Sequence, residues 1–127
     1  MNKVVLGIGS NIAPKENIEK VRKILAQKYN VLAESRFVTT QPIGNVAQPD
    51  FINGAMLLET PVTQERLAKE LKAIEQQLGR RESADKFAPR TIDLDIVVFN
   101  GEVTHQDFYS RDFLKTAILE VLPTLKY

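Results

Sequence analysis

The chain has 127 residues and is 43% hydrophobic and 26% charged, the composition of one ordinary globular domain over residues 1–127. Seventeen Lys and Arg against sixteen Asp and Glu leave a net charge of +1, which argues against bulk nucleic-acid binding. With no Cys and one His, thiol catalysis, iron–sulfur clusters and the usual zinc sites are excluded, and a chain of this length needs no staple to hold its core. Nowhere do eighteen apolar residues follow one another, and the apolar run before Gly9 is too short for a signal peptide. A cytoplasmic location, no membrane partner and a monomer are expected.

Val4, Val5, Leu6 and Ile8 form a first strand that breaks at Gly7-Ile8-Gly9-Ser10-Asn11, where Ser10 or Asn11 is placed to cap a helix. The helix should run from about Pro14 to Tyr29, with Pro14 in its first turn and Ile18, Val21, Ile24 and Leu25 as its apolar stripe. Val31 to Thr40 reads as a second strand and Phe51 to Thr60 as a third. Between them, Gln41 to Asp50 is an irregular loop with two prolines and a glycine, of a length that usually carries a function.

Thr63 is placed to cap a second helix bearing Leu67, Leu71, Ile74 and Leu78 on one face, with Gly79 as its stop. Arg80 to Arg90 is a charged loop. Ile92, Leu94, Ile96 and Val98 then alternate with Thr91, Asp93, Asp95 and Val97, the period of a strand with one face in the core. After a short piece around Val103, the stretch from Arg111 to Leu122 is open to a strand or a helix at its start. The order β-α-β-β-α-β predicts an α+β fold with a ferredoxin-like core, its antiparallel sheet carrying the helices on one face.

Asp93 and Asp95, two apart on a strand, share a face. Paired carboxylates suit Mg²⁺, which keeps waters and takes further ligands from substrate phosphates. Arg90 sits at the mouth of the same strand, and Arg80, Arg81 and Lys86 lie on the loop before it. Together these are the parts for holding a metal-bound polyphosphate. The plainer account is a solvated strand face whose charges pair with each other. Gly7-Ile8-Gly9-Ser10-Asn11-Ile12 is only a partial dinucleotide fingerprint, and no P-loop occurs. Asn53 has an amide able to pair with a heterocycle edge, and Phe51 has a ring able to stack, although taken alone a loop-satisfying Asn and a core Phe are the plainer account.

The run Lys86-Phe87-Ala88-Pro89-Arg90-Thr91-Ile92-Asp93-Leu94-Asp95-Ile96-Val97 resembles the signature of the 6-hydroxymethyl-7,8-dihydropterin pyrophosphokinases. Gly9-Ser10-Asn11, Thr40-Gln41-Pro42-Ile43-Gly44, Gln48-Pro49-Asp50-Phe51-Ile52-Asn53, Ile74-Glu75 and Leu78-Gly79-Arg80 join it in order and spacing. The resemblance implies Asp93 and Asp95 as holders of two Mg²⁺ ions on ATP, and Arg80, Arg90 and Lys86 as phosphate contacts. It further implies Thr40, Pro42 and Asn53 on the pterin side, Phe51 and Phe113 stacked about the ring, and His105 and Arg111 toward the nucleotide. The implied reaction moves the β,γ-diphosphate of ATP to the pterin hydroxymethyl group and leaves AMP. The segments near 41–50 and 80–90 would be its lids.

Departures fall on the nucleotide side. Glu82 stands where the family usually has a second arginine, with Arg81 as its possible substitute, and Gln106 stands where an aromatic usually follows the His. The stretch between Gly101 and His105 is shortened, and the chain stops at Tyr127 without the family's longer tail. A catalytically weak or inactive descendant that binds pterin or nucleotide is therefore the alternative. A ferredoxin-like regulatory or RNA-binding module fits less well, because Asp93 and Asp95 repel phosphate without a metal.

Overall fold

The computed structural model describes residues 1–42, 44, 47–80 and 89–127. Strand β1 (Asn2–Ser10) leads to helix α1 (Pro14–Lys28), then come β2 (Asn30–Glu34), β3 (Val38–Thr40), β4 (Phe51–Thr60) and helix α2 (Gln64–Gln77). Beyond the charged segment follow β5 (Asp93–Phe99), β6 (Glu102–Val103), the single turn α3 (Asp107–Ser110) and helix α4 (Asp112–Val121). The sheet runs β2-β4-β1-β5-β6, with β3 also on β4, and every neighbouring pair is antiparallel. The α+β class is as the sequence predicts.

Thr63 caps α2 as expected, its hydroxyl accepting the Arg66 N–H at 3.2 Å. Helix α1 begins without such a bond. Ser10 Oγ donates instead to the carbonyl oxygens of Thr91 and Ile12, and the Asn11 amide turns to other loops. The expected cap from either residue is thus corrected, because both side chains are used across the sheet.

The single strand expected over Val31 to Thr40 is two. Ser35 interrupts it: its N–H donates to Ala55 O, and its Oγ accepts the Ala55 N–H at 2.8 Å, so a hydroxyl takes a carbonyl's place in the ladder. Phe37 then folds its ring over Gly54, where a Cβ would lie 2.6 Å from it.

The two helices expected on one face do share it; the difference is that the opposite face is covered as well. Helices α1 and α2 pack Ile18, Val21, Leu25, Leu67, Leu71 and Ile74 against Val4, Leu6, Ile8, Met56, Leu58 and Leu94. The opposite face, with Val5, Ala55, Leu57 and Val97, is covered by Phe108, Ala117, Ile118 and Val121 of α3 and α4. The reason is in β1 and β4: Val4, Val5 and Leu6, like Ala55 to Leu58, are buried without alternation. Strands apolar on both sides need cover on both sides. Leu114, Ala117, Ile118 and Val121 supply it at helical spacing, and the Arg111 to Leu122 stretch is helix from Asp112 onward.

Candidate active site

Helix α4 covers only part of its face. At the Ser10 end of β1 the sheet is lined by Gly7 and Gly9, and there an open cleft forms between the strands and the start of α4. Antiparallel register sets the floor. Gly9 pairs with Asn53 on β4 and with Asp93 on β5, while Gly7 pairs with Ala55 and Asp95. Directly opposed residues share a face, so Asn53 and Asp93 stand two strand spacings apart, roughly 10 Å, across a glycine. A Cβ at Gly9 would collide with Asn53 Oδ1 and touch the Phe51 ring at 3.8 Å. The missing side chain is what allows the amide to lie over β1.

Thr40 fixes that amide from β3, its Oγ1 accepting Asn53 Nδ2–H at 2.6 Å. Arg111, at the N-cap of α4, and Phe113 in its first turn complete the far wall. These two line one cleft with the sheet floor.

The charged end is a network. Arg80 Nη1 donates to Asp93 Oδ1 at 3.0 Å, to Glu75 Oε2 at 2.8 Å and to Ile92 O at 3.2 Å. Arg90 Nη1 lies 3.7 Å from the same Asp93 oxygen. Burial, then the neighbouring Asp93 charge, pushes the Asp95 carboxyl up to about 6, with His105 opposing and Asp107 adding to the rise. Asp107 N–H donates to His105 Nδ1 at 3.2 Å, and His105 Nε2 lies 4.0 Å from Asp95 Oδ1. The pair of carboxylates, with no group of three metal-ligating side chains among the described residues, fits a cation that completes its shell from water and phosphate, as Mg²⁺ does.

A family model described as 7,8-dihydro-6-hydroxymethylpterin-pyrophosphokinase matches residues 5–123. The chain belongs to this family. The 2-amino-4-hydroxy-6-hydroxymethyldihydropteridine pyrophosphokinase of Haemophilus influenzae is 29% identical over 131 residues, which take in 94% of this chain and 81% of that protein. Its counterpart from Helicobacter pylori is 32% identical over 110 residues, 84% of this chain and 68% of that protein. A folate synthesis bifunctional protein of Arabidopsis thaliana is 29% identical over 131 residues, 95% of this chain but 27% of that larger protein.

In this pterin-pyrophosphokinase chain, then, Arg80, Arg90, Asp93, Asp95, Asn53, Thr40, Phe113, His105 and Arg111 converge on one end of the sheet. Phe51 lies beside Gly9 on the same face. Pro42 is buried just past β3 and is not among the residues lining the cleft. Lys86, with Arg81 and Glu82, lies outside the described residues.

Sequence reasoning missed two acids. Glu75 Oε2 accepts both Arg80 Nη1–H and, at 2.7 Å, the N–H of Leu94 between the two aspartates. Burial pushes its carboxyl up to about 7, against the lowering effect of Leu94 N–H and Arg80. Its signal was an acid beside Ile74 in the buried stripe at the C-terminal turn of α2, where the helix dipole disfavours negative charge. Asp107 stands 3.5 Å from Arg111 Nε and lines the cleft, and its signal was the four-residue spacing from Arg111.

Proposed function

We propose that the protein catalyses Mg²⁺-dependent transfer of diphosphate from ATP to 6-hydroxymethyl-7,8-dihydropterin, giving AMP and the pterin diphosphate for folate synthesis. The observation that carries this reading is the row Asn53, Gly9, Asp93: an amide that reads a heterocycle and a carboxylate that holds a cation, on one face across a bare glycine. On this reading Asn53, oriented by Thr40, pairs with the pterin edge, while Phe51 and Phe113 flank the ring. Pro42 shapes the segment behind Thr40.

Asp95 also borders a second groove, walled by Ala68, Leu71 and Ile96. Its lining is mixed, with Gln64 and Glu65 beside these apolar walls, and suits a nucleotide base whose polyphosphate reaches the cleft. Asp93 and Asp95 would hold two Mg²⁺ ions, which supply charge neutralisation on the triphosphate when bound. Arg80, Arg90 and Lys86 contact phosphate oxygens, and His105 and Arg111 reach the nucleotide from the α3 side. The hydroxymethyl oxygen forms a bond to the β-phosphorus, whose bond to the α,β-bridging oxygen breaks. AMP leaves with that oxygen, and the hydroxyl proton passes to water. The protein's part is placement of the two reactants and exclusion of competing water, with fixed positive charge where negative charge develops.

One domain spans 1–127 on this reading, and its core is ferredoxin-like. The order β2-β4-β1-β5, with α1 after β1 and α2 after β4, supports that once β3 and β6 are set aside. No helix among the described residues is long and apolar enough to cross a membrane, which is compatible with a cytoplasmic enzyme.

The test is AMP release from ATP and Mg²⁺ with and without the pterin. Pterin-dependent AMP that disappears in Asp95→Ala is expected. Tight pterin binding with no AMP would overturn the catalytic reading in favour of a descendant that only binds.

A further inference from the structure

Asn11 follows β1 directly and is 2% exposed. Its side-chain amide is fully used. Oδ1 accepts the Arg90 N–H at 2.7 Å, while Nδ2 donates to Gln48 Oε1 and, at 3.1 Å, to Pro49 O. The Asn11 backbone N–H adds a bond to Arg90 O at 3.1 Å, so Arg90 is held on both its main-chain groups. Gln48 and Pro49 are the stem that enters β4 and sets Phe51 and Asn53. Arg90 is the stem that enters β5 and sets Asp93 and Asp95. One buried amide therefore stands where two loop stems meet, two residues beyond the glycine that lies between Asn53 and Asp93.

We infer that Asn11 is a positioning residue that latches both stems of the cleft as one unit, setting the pterin-side strand and the phosphate-side strand relative to each other. An asparagine is suited to this because it alone among short side chains offers an acceptor to one stem and two donor hydrogens to the other. Left unpaired in a buried place, either set would be costly, so the two stems are held together or released together. For its kinetic consequence the inference rests on the proposed function; for its structural content it does not.

The test is amide hydrogen exchange followed on peptides covering residues 48–53 and 89–92, with steady-state kinetics alongside. Asn11→Ala should speed exchange of the Arg90 amide about tenfold or more and loosen the 48–53 stem at the same time, whereas Gln48→Ala should loosen only the latter. In turnover, Asn11→Ala should lower kcat and raise KM for both substrates, and Gln48→Ala should raise the pterin KM alone. Arg90 exchange within twofold of wild type in Asn11→Ala, or both stems loosening in Gln48→Ala, would overturn the latch. Should Asn11→Ala not fold, Asn11→Asp decides: it keeps the acceptor for Arg90 N–H and loses the donor to Pro49 O. Only the 48–53 stem should then exchange faster, and equal loosening of both refutes the inference. A wild-type chain that releases no pterin-dependent AMP would refute the proposed function, while the exchange result would still decide the role of Asn11.

Discussion

Glu75 provides a test of how burial and ion pairing compete beneath the carboxylate pair. Its Oε2 is held by Leu94 N–H and Arg80 Nη1 at 2.7 and 2.8 Å, yet burial outweighs both and raises the carboxyl from 4.5 to about 7. The sign follows from linkage. Between those values the folded chain binds a proton that the unfolded chain releases, so the contribution of Glu75 to stability is full below pH 4.5 and is lost as pH rises through about 7. At about 1.4 kcal/mol per tenfold change in proton affinity, the whole loss is about 3 kcal/mol, of which about 2.5 kcal/mol falls between about pH 5 and about pH 8.5. Glu75→Gln keeps an oxygen for Leu94 N–H and removes the titration. Urea unfolding of both proteins across that range should show the wild type losing about 2.5 kcal/mol relative to the variant. A difference that stays constant with pH would refute the reasoning, and would mean that the Arg80 pair keeps Glu75 ionised throughout.

Other substitutions separate stability from activity. Asp93→Asn and Asp95→Asn should each lower the rate of AMP release by about 10²- to 10³-fold. Asp95→Asn should at the same time leave the chain as stable or more so, by no more than about 1 kcal/mol once solvent screening is allowed for, as thermal unfolding would show. Gly9→Ala drives a methyl into Asn53 Oδ1, so pterin affinity, read from the ligand's fluorescence, should fall about tenfold or more, the weight of about one lost polar contact. Unchanged affinity would place the pterin elsewhere. Gly54→Ala sets a Cβ 2.6 Å from the Phe37 ring and should cost about 1–3 kcal/mol in urea unfolding, as overpacking does.

Much of the molecule could be read along the chain because its signals are local. The alternation of Ile92, Leu94 and Ile96 put Asp93 and Asp95 on one face, and Thr63 and Gly79 bounded α2 where the structure has its limits. What eluded the reading depends on partners far apart in sequence. Ser35 breaks a β-rich run because Ala55, twenty residues on, offers its N–H and carbonyl to it. Ser10 and Asn11 look like caps until Thr91, Arg90 and Gln48 arrive to bond them. Pattern alone assigns such side chains to the nearest helix, since only the assembled sheet reveals the competitor.

The position of the cleft follows from the same long-range pairing. A β1 that reads apolar on both faces demands helices on both, and α4 meets that demand over Val5, Leu57 and Val97. Toward Ser10, the residues of β1 on that second face are Gly7 and Gly9. A Cβ at Gly7 would sit 3.1 Å from Leu114, the point at which α4 leaves the sheet. Beyond it nothing apolar remains on β1 to be covered, so the face opens and its neighbours in register, Asn53 on one side and the aspartates on the other, become the floor of a cleft. The glycines that resembled part of a dinucleotide fingerprint thus have a different use: they end the second hydrophobic layer and let two polar strands' chemistry face one space.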